Sequence, residues 1–351
     1  MRWAVDPEQQ MFIEAFSDWL DRFATAERVR AWLDEGDAAT FENGLAEEGW
    51  LAVGLAEERG GQGGGLLELA LIAEQLSRRA APSSAWLATV LALPALDAEQ
   101  ATAFVEEGRF LALAVSADSA MLASDFTVEA GLISGVAHTV LGADRAHSLI
   151  VSADGALYLV EATSPGVSIE STPLLDRSRS TATVTLTGAT GTPLEADADD
   201  VLTTARLRAA VLVAADSLGA ASRLLELAVE YSKQRTQFGA PIGSFQAMKH
   251  AAATMLVDEE ATRSIVYFAA ASVDQNLPES ALHAATAKAQ GTANGSHSAE
   301  SALTMHGAIG YTWEHDLQLL YKRTKLDVPL FGSPAEWNER IAEALVLVPV
   351  A

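Results

Sequence analysis

The run Tyr231-Ser-Lys-Gln-Arg-Thr-Gln-Phe-Gly-Ala-Pro-Ile-Gly-Ser-Phe-Gln-Ala247 decides how the rest of the chain is read. Upstream of it, Leu207, Val211, Ala214, Leu218, Ala221, Leu225 and Ala228 recur at alternating spacings of four and three, lining one face of a long helix. Inside the run, Gly239, Pro241 and Gly243 stop that pattern, because proline lacks an amide donor and glycine relaxes the backbone. A second helix is expected to start near Ser244 as its N-cap and to bury Phe245, Met248, Ala252 and Leu256. Arg235 thus falls at the C-terminal end of one helix, just before a tight turn. Two readings of it stay open. Lys233 and Arg235 complement the helix dipole there, or a planar guanidinium is presented from the corner to a phosphate or flavin edge.

Composition narrows the partners. The 351 residues suffice for two or three domains, and 49% are hydrophobic, enough for a substantial core. Lys and Arg number 23 against 47 Asp and Glu, a net charge of -24 that argues against nucleic acid and anionic membrane surfaces as partners. An anionic ligand would need local arginines and helix N-termini to overcome that field. Without any cysteine, disulfides, thiolate nucleophiles and Cys-ligated metals drop out. The opening Met1-Arg-Trp-Ala-Val-Asp-Pro-Glu8 has no signal-peptide core, and runs such as Leu69–Ala73 and Ala209–Ala215 are too short to span a bilayer. A cytoplasmic protein is expected.

Taken in order, the chain divides into helices, strands and helices, with expected domains at 1–102, 103–200 and 201–351. Asp6-Pro7-Glu8-Gln9 reads as a helix start, with Asp as N-cap, Pro in the first turn and Gln at the capping-box position. Phe12, Ala15, Phe16, Trp19, Leu20 and Phe23 form its apolar stripe, and a further helix is expected around Thr40–Glu48. Gly60-Gly-Gln-Gly-Gly-Gly65 has no clear strand before it and no Lys-Ser/Thr after it, so it reads as a turn feeding a helix over Leu66–Leu76 rather than a nucleotide cradle. Phe110–Val115, Phe126–Glu129, Leu132–Ser134, Ser148–Val151, Leu157–Val160, Val167–Thr172 and Thr181–Leu186 are short β-rich runs at hairpin-like distances, an antiparallel barrel or sandwich. Helices follow again, including Glu279–Met305, closed by His306-Gly307, then Asp316–Leu326 and Pro334–Leu345. The fold class is therefore α+β, an N-terminal helical domain, a middle antiparallel β-domain and a C-terminal helical bundle. The histidines lack a metal-ligand spacing.

Three segments carry a family resemblance. Arg235-x-x-Phe238-Gly239-x-x-Ile242-x-x-Phe245-Gln246 resembles the arginine corner of the acyl-CoA dehydrogenases; Met305-His-Gly-Ala-Ile-Gly-Tyr-Thr-Trp-Glu-His-Asp316 resembles their glycine turn; Glu47–Gly65 resembles their N-terminal glycine turn. The resemblance covers nearly the whole chain, in order, and implies a three-domain fold, FAD, an acyl-CoA substrate and a place in lipid metabolism. It implies that Arg235, Gln237, Phe238, Ile242 and Phe245, with Thr304, Gly307 and Ala308 at the glycine turn, touch the FAD of a neighbouring subunit. Relatives show Gln and Gly-Gly where this chain has Thr304, Gly307 and Ala308. Trp313 and Tyr311 follow where relatives place an aromatic near the acyl or flavin edge, with core packing as the other reading. The segment that cradles the flavin ring in relatives is replaced by Leu113-Ala-Val-Ser-Ala-Asp-Ser-Ala-Met121.

The family reaction removes an α-proton with a carboxylate while the β-hydrogen leaves as hydride to the flavin. The two positions at which relatives carry that carboxylate are Phe331 and Ala209 here, and neither side chain takes a proton. Asp216 is the nearest substitute, displaced along the same helix by roughly 10 Å at 1.5 Å per residue; alternatively it pairs with an arginine such as Arg223 or faces water. Asp327 and Glu336 flank the loop and are expected at the surface. The resemblance therefore points to a subunit of a hetero-oligomeric, FAD-dependent acyl-CoA dehydrogenase, completing a partner's FAD site. The alternatives are a self-sufficient homo-oligomer using a base such as Asp216, and a flavin-free scaffold.

Overall fold

The computed structural model describes residues 5–123 and 125–345, without the side chain of Arg59. Met1–Ala4 of the polar opening and 346–351 of the expected third domain lie outside the described residues. Among the described residues six α-helices come first: α1 Pro7–Phe23, α2 Ala26–Glu35, α3 Ala38–Glu47, α4 Leu66–Arg78, α5 Ser84–Ala92 and α6 Ala98–Glu106. The start of α1 forms as its sequence dictates. The Asp6 carboxylate accepts from the amides of Glu8 and Gln9, both at 2.9 Å, and the Gln9 side chain accepts from the Asp6 amide at 3.0 Å. Phe16, Trp19 and Leu20 then turn into an aromatic core with Phe41 and Trp32, while Ala15 stays exposed at the edge of the stripe.

The glycine run does end where α4 begins, and the structure shows why it is no phosphate cradle. The Asp274 carboxylate already accepts from the amides of Leu66 at 2.8 Å and Leu67 at 3.3 Å. The free amides of a helix N-terminus, which would greet a phosphate, are taken by the chain's own anion.

Eight strands follow: β1 Leu111–Leu113, β2 Thr127–Glu129, β3 Leu132–Leu141, β4 Ser148–Ala153, β5 Ala156–Glu161, β6 Val167–Thr172, β7 Thr181–Ala189 and β8 Thr192–Pro193. They form two four-stranded sheets in the orders β1-β4-β5-β8 and β2-β3-β7-β6. Every pair is antiparallel except β1 with β4, which run parallel with Leu111 opposite Ser148. The chain leaves the first sheet after β1, builds β2 and β3 in the second and returns as β4, and such a crossover is what a parallel pair requires. Between the sheets lie Phe126, Ile133, Val140, Leu149, Val151, Val160, Val184 and Leu186.

The remainder is a bundle of α7 Ala198–Gln234, α8 Gln246–Asp274, α9 Ser280–His306, α10 Leu317–Asp327 and α11 Pro334–Ala344. The middle of α7, from Ala209 to Ser222, is buried throughout, so this helix is the axis of the bundle. Small residues let its neighbours approach closely. A Cβ on Gly219 would lie 2.1 Å from the Glu74 carbonyl oxygen of α4, and one on Gly295 of α9 would lie 2.1 Å from Ser217 Oγ. Gly219→Ala should therefore force α4 and α7 apart and cost about 1–3 kcal/mol, read as a lowered urea midpoint at unchanged slope.

The α7–α8 corner corrects two expectations. Phe245, not Ser244, occupies the cap position of α8, and the Ser244 hydroxyl instead donates to the Pro241 carbonyl at 2.7 Å. Phe245 and Leu256 are 38% and 50% exposed, and Met255 is the buried residue of that turn. The periodicity identified an apolar face correctly but not what it packs on. In the first half of α8 Phe245 and Leu256 face outward, while Met248 and Ala252 are half-buried against the cluster that holds Leu224 and Met305.

Candidate functional site

The end of α7 builds the site. Arg235 caps the helix, its amide bonded to the Tyr231 carbonyl, with extended dihedrals that turn the chain outward. The two-residue strands β9 Thr236–Gln237 and β10 Ala240–Pro241 pair around a tight hairpin whose tip is Phe238-Gly239. Gly239 takes the left-handed conformation at φ 79°, and so does Phe238 at φ 53°, which a bulky residue seldom does. The hairpin thereby holds Phe238 95% exposed, its ring edge-on to Phe245 with centroids 6.2 Å apart. Arg235 and Gln237 are exposed beside it and Ile242 is half-buried. No hydrogen bond or ion pair engages the Arg235 guanidinium among the described residues.

Tertiary packing brings the glycine turn to this corner. Tyr231, in the last turn of α7, stacks on His306, in the last turn of α9, with centroids 4.6 Å apart and planes 19° from parallel. His306 in turn meets His315 edge-on at 4.8 Å. Burial holds both imidazoles below the usual histidine range. Above this stack Gly307 ends α9 at φ 63°, and Thr304, Gly307, Ala308 and Ile309 are exposed. Tyr311 and Trp313 are 74% and 62% exposed, which rules out the core-packing reading. Lys322 Nζ sits 3.7 Å from the centre of the Trp313 ring.

The space between the segment Leu113–Met121 and the loop after α10 is closed. The segment Leu113–Met121 meets the loop after α10 directly: the Phe331 amide donates to the Ala117 carbonyl at 2.6 Å, and a Cβ on Gly332 would stand 2.7 Å from Ala120. The space bounded by Ala88, Leu91, Leu113, Val115, Leu122, Leu141 and Phe331 is about 10 Å³. A flavin ring does not fit there. Ala209 is fully buried in the packed axis of the bundle, so that position is closed as well.

Asp216 has a role other than that of a base. Its carboxylate accepts from Arg323 Nε at 2.8 Å and Nη2 at 2.7 Å, and from Arg179 Nη2 at 2.6 Å, and it is 2% exposed. Burial would raise its pKa, but the charges of Arg179 and then Arg323 outweigh burial and bring it down to about 2. It holds no proton near neutrality. The partners are not Arg223, which pairs with Glu226 at 2.9 Å, because β-domain and α10 arginines invisible to helix spacing reach it first. Arg323 spends its remaining donors on Ala81 O, Ser178 Oγ and Ser83 Oγ, so this knot joins all three layers of the molecule. Asp327 also departs from expectation: it is fully buried beside the knot, not at the surface, and its pKa is pushed up by burial first and by Asp216 next. Glu336 is exposed and completes the capping box of α11.

A groove of about 770 Å³ bordered by α1, α2, α4, α7 and α10 is lined by Arg78, Arg79 and Arg223, whose charges are already paired with Glu226 and Asp21. Among the described residues no group of three or more acidic or histidine side chains could hold a metal, and no helix is long and apolar enough to cross a membrane.

Comparison with known proteins fits this architecture. Residues 6–99 match the acyl-CoA dehydrogenase N-terminal domain and residues 200–346 the acyl-CoA dehydrogenase C-terminal domain. Acyl-CoA dehydrogenase IpdE2 of Mycolicibacterium smegmatis is 32% identical over 337 residues, spanning 95% of this chain and 97% of that protein. The chain belongs to the acyl-CoA dehydrogenase family. Among its other relatives, acyl-CoA dehydrogenase FadE34 of Mycobacterium tuberculosis is 31% identical over 312 residues, which are 88% of this chain and only 43% of that protein. A solved structure of a variant of the Tcur3481-Tcur3483 steroid ACAD superposes with a TM-score of 0.87 at 26% identity, covering 98% of this chain and 99% of that one. Acyl-CoA dehydrogenases are flavin oxidoreductases of lipid metabolism that act on a CH–CH group.

Proposed function

We propose that this chain is the flavin-completing subunit of a hetero-oligomeric acyl-CoA dehydrogenase, in which a partner supplies the catalytic carboxylate and the chamber for the flavin ring. The observation that carries this is the arginine corner itself: an unengaged guanidinium beside a phenyl ring held 95% exposed in a conformation phenylalanine seldom adopts. Arg235 and Gln237 would bind the phosphates or ring edge of the partner's FAD, with Phe238, Ile242 and Phe245 covering its apolar parts and excluding water. Thr304, Gly307 and Ala308 would lie against the same cofactor, held in place by the Tyr231–His306 stack. Bound FAD supplies the hydride acceptor for α,β-dehydrogenation of an acyl-CoA thioester.

Two further points support a divided site. Neither base position of the family carries a carboxyl group here, and Asp216, the nearest substitute on α7, is neutralised by two arginines. More than half of FadE34 lies outside its match with this chain, which leaves room in that polypeptide for a second unit of this size.

The test is the visible absorption spectrum of the chain purified alone and purified after co-expression with a family member that carries the base. A colourless protein alone and flavin bands in the complex are expected. Stoichiometric FAD together with acyl-CoA oxidation by the chain alone would refute the proposal.

A further inference from the structure

The loop between α10 and α11 is held more firmly than a surface connection needs to be. Phe331 takes φ 56° and Gly332 φ 96°, two successive residues outside the conformations an L side chain prefers. Such a backbone persists only where its surroundings over-determine it, and here three groups do so. The Phe331 amide donates to the Ala117 carbonyl at 2.6 Å, and the Trp337 indole N–H donates to the Phe331 carbonyl at 2.9 Å. The third is Lys288 of α9, fully buried, whose Nζ donates to the carbonyls of Asp327 at 3.0 Å, Val328 at 3.2 Å and Gly332 at 2.8 Å. An ammonium has three donors, and all three are spent on this one loop.

A buried ammonium is costly to place, and burial draws the Lys288 pKa down to about 8. A phenyl ring that merely filled a core would need neither a buried cation nor a left-handed backbone. What the arrangement achieves is to fix the Phe331 ring, 3% exposed, against Ala88, Leu91, Leu113, Val115, Leu122 and Leu141, leaving about 10 Å³, too little for more than a single water.

We infer that the Phe331 ring is a built-in plug in this chain's own apolar chamber, and that Lys288 is the positioning residue that latches it there. The chamber is thereby closed to flat or apolar ligands by occupancy, over and above the lack of a carboxylate. The inference rests on the proposed function only in taking the chamber for the idle counterpart of the partner's site.

The experiment uses the full chain and indole as an apolar single-ring probe, with binding followed by calorimetry. Phe331→Ala should leave a dry chamber of ring size and bind indole at least about tenfold more tightly than the wild type, as engineered apolar cavities bind benzene. Phe331→Leu, which keeps most of the packing, secures a folded variant and should bind indole between the two. Lys288→Met retains the ring and removes the latch, so amide exchange at Phe331 and Gly332 should speed up about tenfold more than in the α7 core. Folded Phe331→Ala and Phe331→Leu proteins that take up no more indole than the wild type would overturn the plug. Loop exchange in Lys288→Met that changes only in step with global stability would overturn the latch. Indole uptake by the chain alone is independent of flavin in the complex, so failure here is distinguishable from failure of the trans-acting corner.

Discussion

Replacing Asp216 by alanine should destabilise the protein by about 3–5 kcal/mol, the largest loss expected from any single change at the candidate residues. The carboxylate is 2% exposed and lies between two guanidiniums that are themselves buried, so its removal leaves two buried cations without the carboxylate that bridges them. Asp216→Asn keeps the shape but not the charge and should cost nearly as much, whereas substitution of Glu226, partly exposed and paired with Arg78 and Arg223, should cost under about 1 kcal/mol. Urea unfolding at neutral pH measures the difference. The pH dependence has a definite sign. The pKa of Asp216 is depressed in the folded state to about 2, from roughly 3.9 when unfolded. Its contribution is therefore complete above about pH 4 and is lost as pH falls through about 2. Asp327 works in the opposite sense: its folded pKa is raised, so its share of stability is present below the unfolded value and fades as pH rises through the folded one. Asp216→Asn should flatten the acid limb of the stability curve. A variant of normal stability whose complex had lost all turnover would instead restore Asp216 as a base.

Arg235→Ala should do the reverse, leaving the fold intact and stripping the cofactor. The side chain is exposed and unengaged, so the stability change should stay within about 0.5 kcal/mol. A charge-assisted hydrogen bond to a phosphate or ring edge is worth about 1.5–3 kcal/mol, or roughly a 10- to 100-fold weakening of FAD binding by the complex. Flavin fluorescence released on dilution of the co-purified complex reads this directly. Arg235→Lys keeps the charge but not the planar fork and should recover only part of the affinity. Unchanged flavin content in both variants would leave the corner without its proposed role and favour a scaffold.

How much of this was legible beforehand can be traced residue by residue. The stripe from Leu207 to Ala228 marked α7, the Asp6 box marked the start of α1, and Gly307 marked the end of α9, because each signal acts within a few residues of itself. The family motifs at Arg235 and Met305–Asp316 gave the identity of the fold in the same way. What failed were statements about what lies opposite a residue. Leu256 read as buried and is exposed; Asp327 read as exposed and is buried; Asp216 was assigned Arg223 and is held by Arg179 and Arg323. Lys288 drew no notice, since a lysine in an alanine-rich helix carries no local sign that three carbonyls await it.

The sequence by itself determined the order of helices and strands, the outward corner at Arg235 and the absence of a carboxyl group at Phe331 and Ala209, because these depend on side-chain identity and on backbone preferences within one or two turns. Only the tertiary structure decided that two distant arginines neutralise Asp216, that Tyr231 docks the glycine turn onto the corner, and that Phe331 fills its own chamber. Those are pairings between residues tens to more than two hundred positions apart, fixed by which surfaces meet when the layers pack, and no local pattern encodes them.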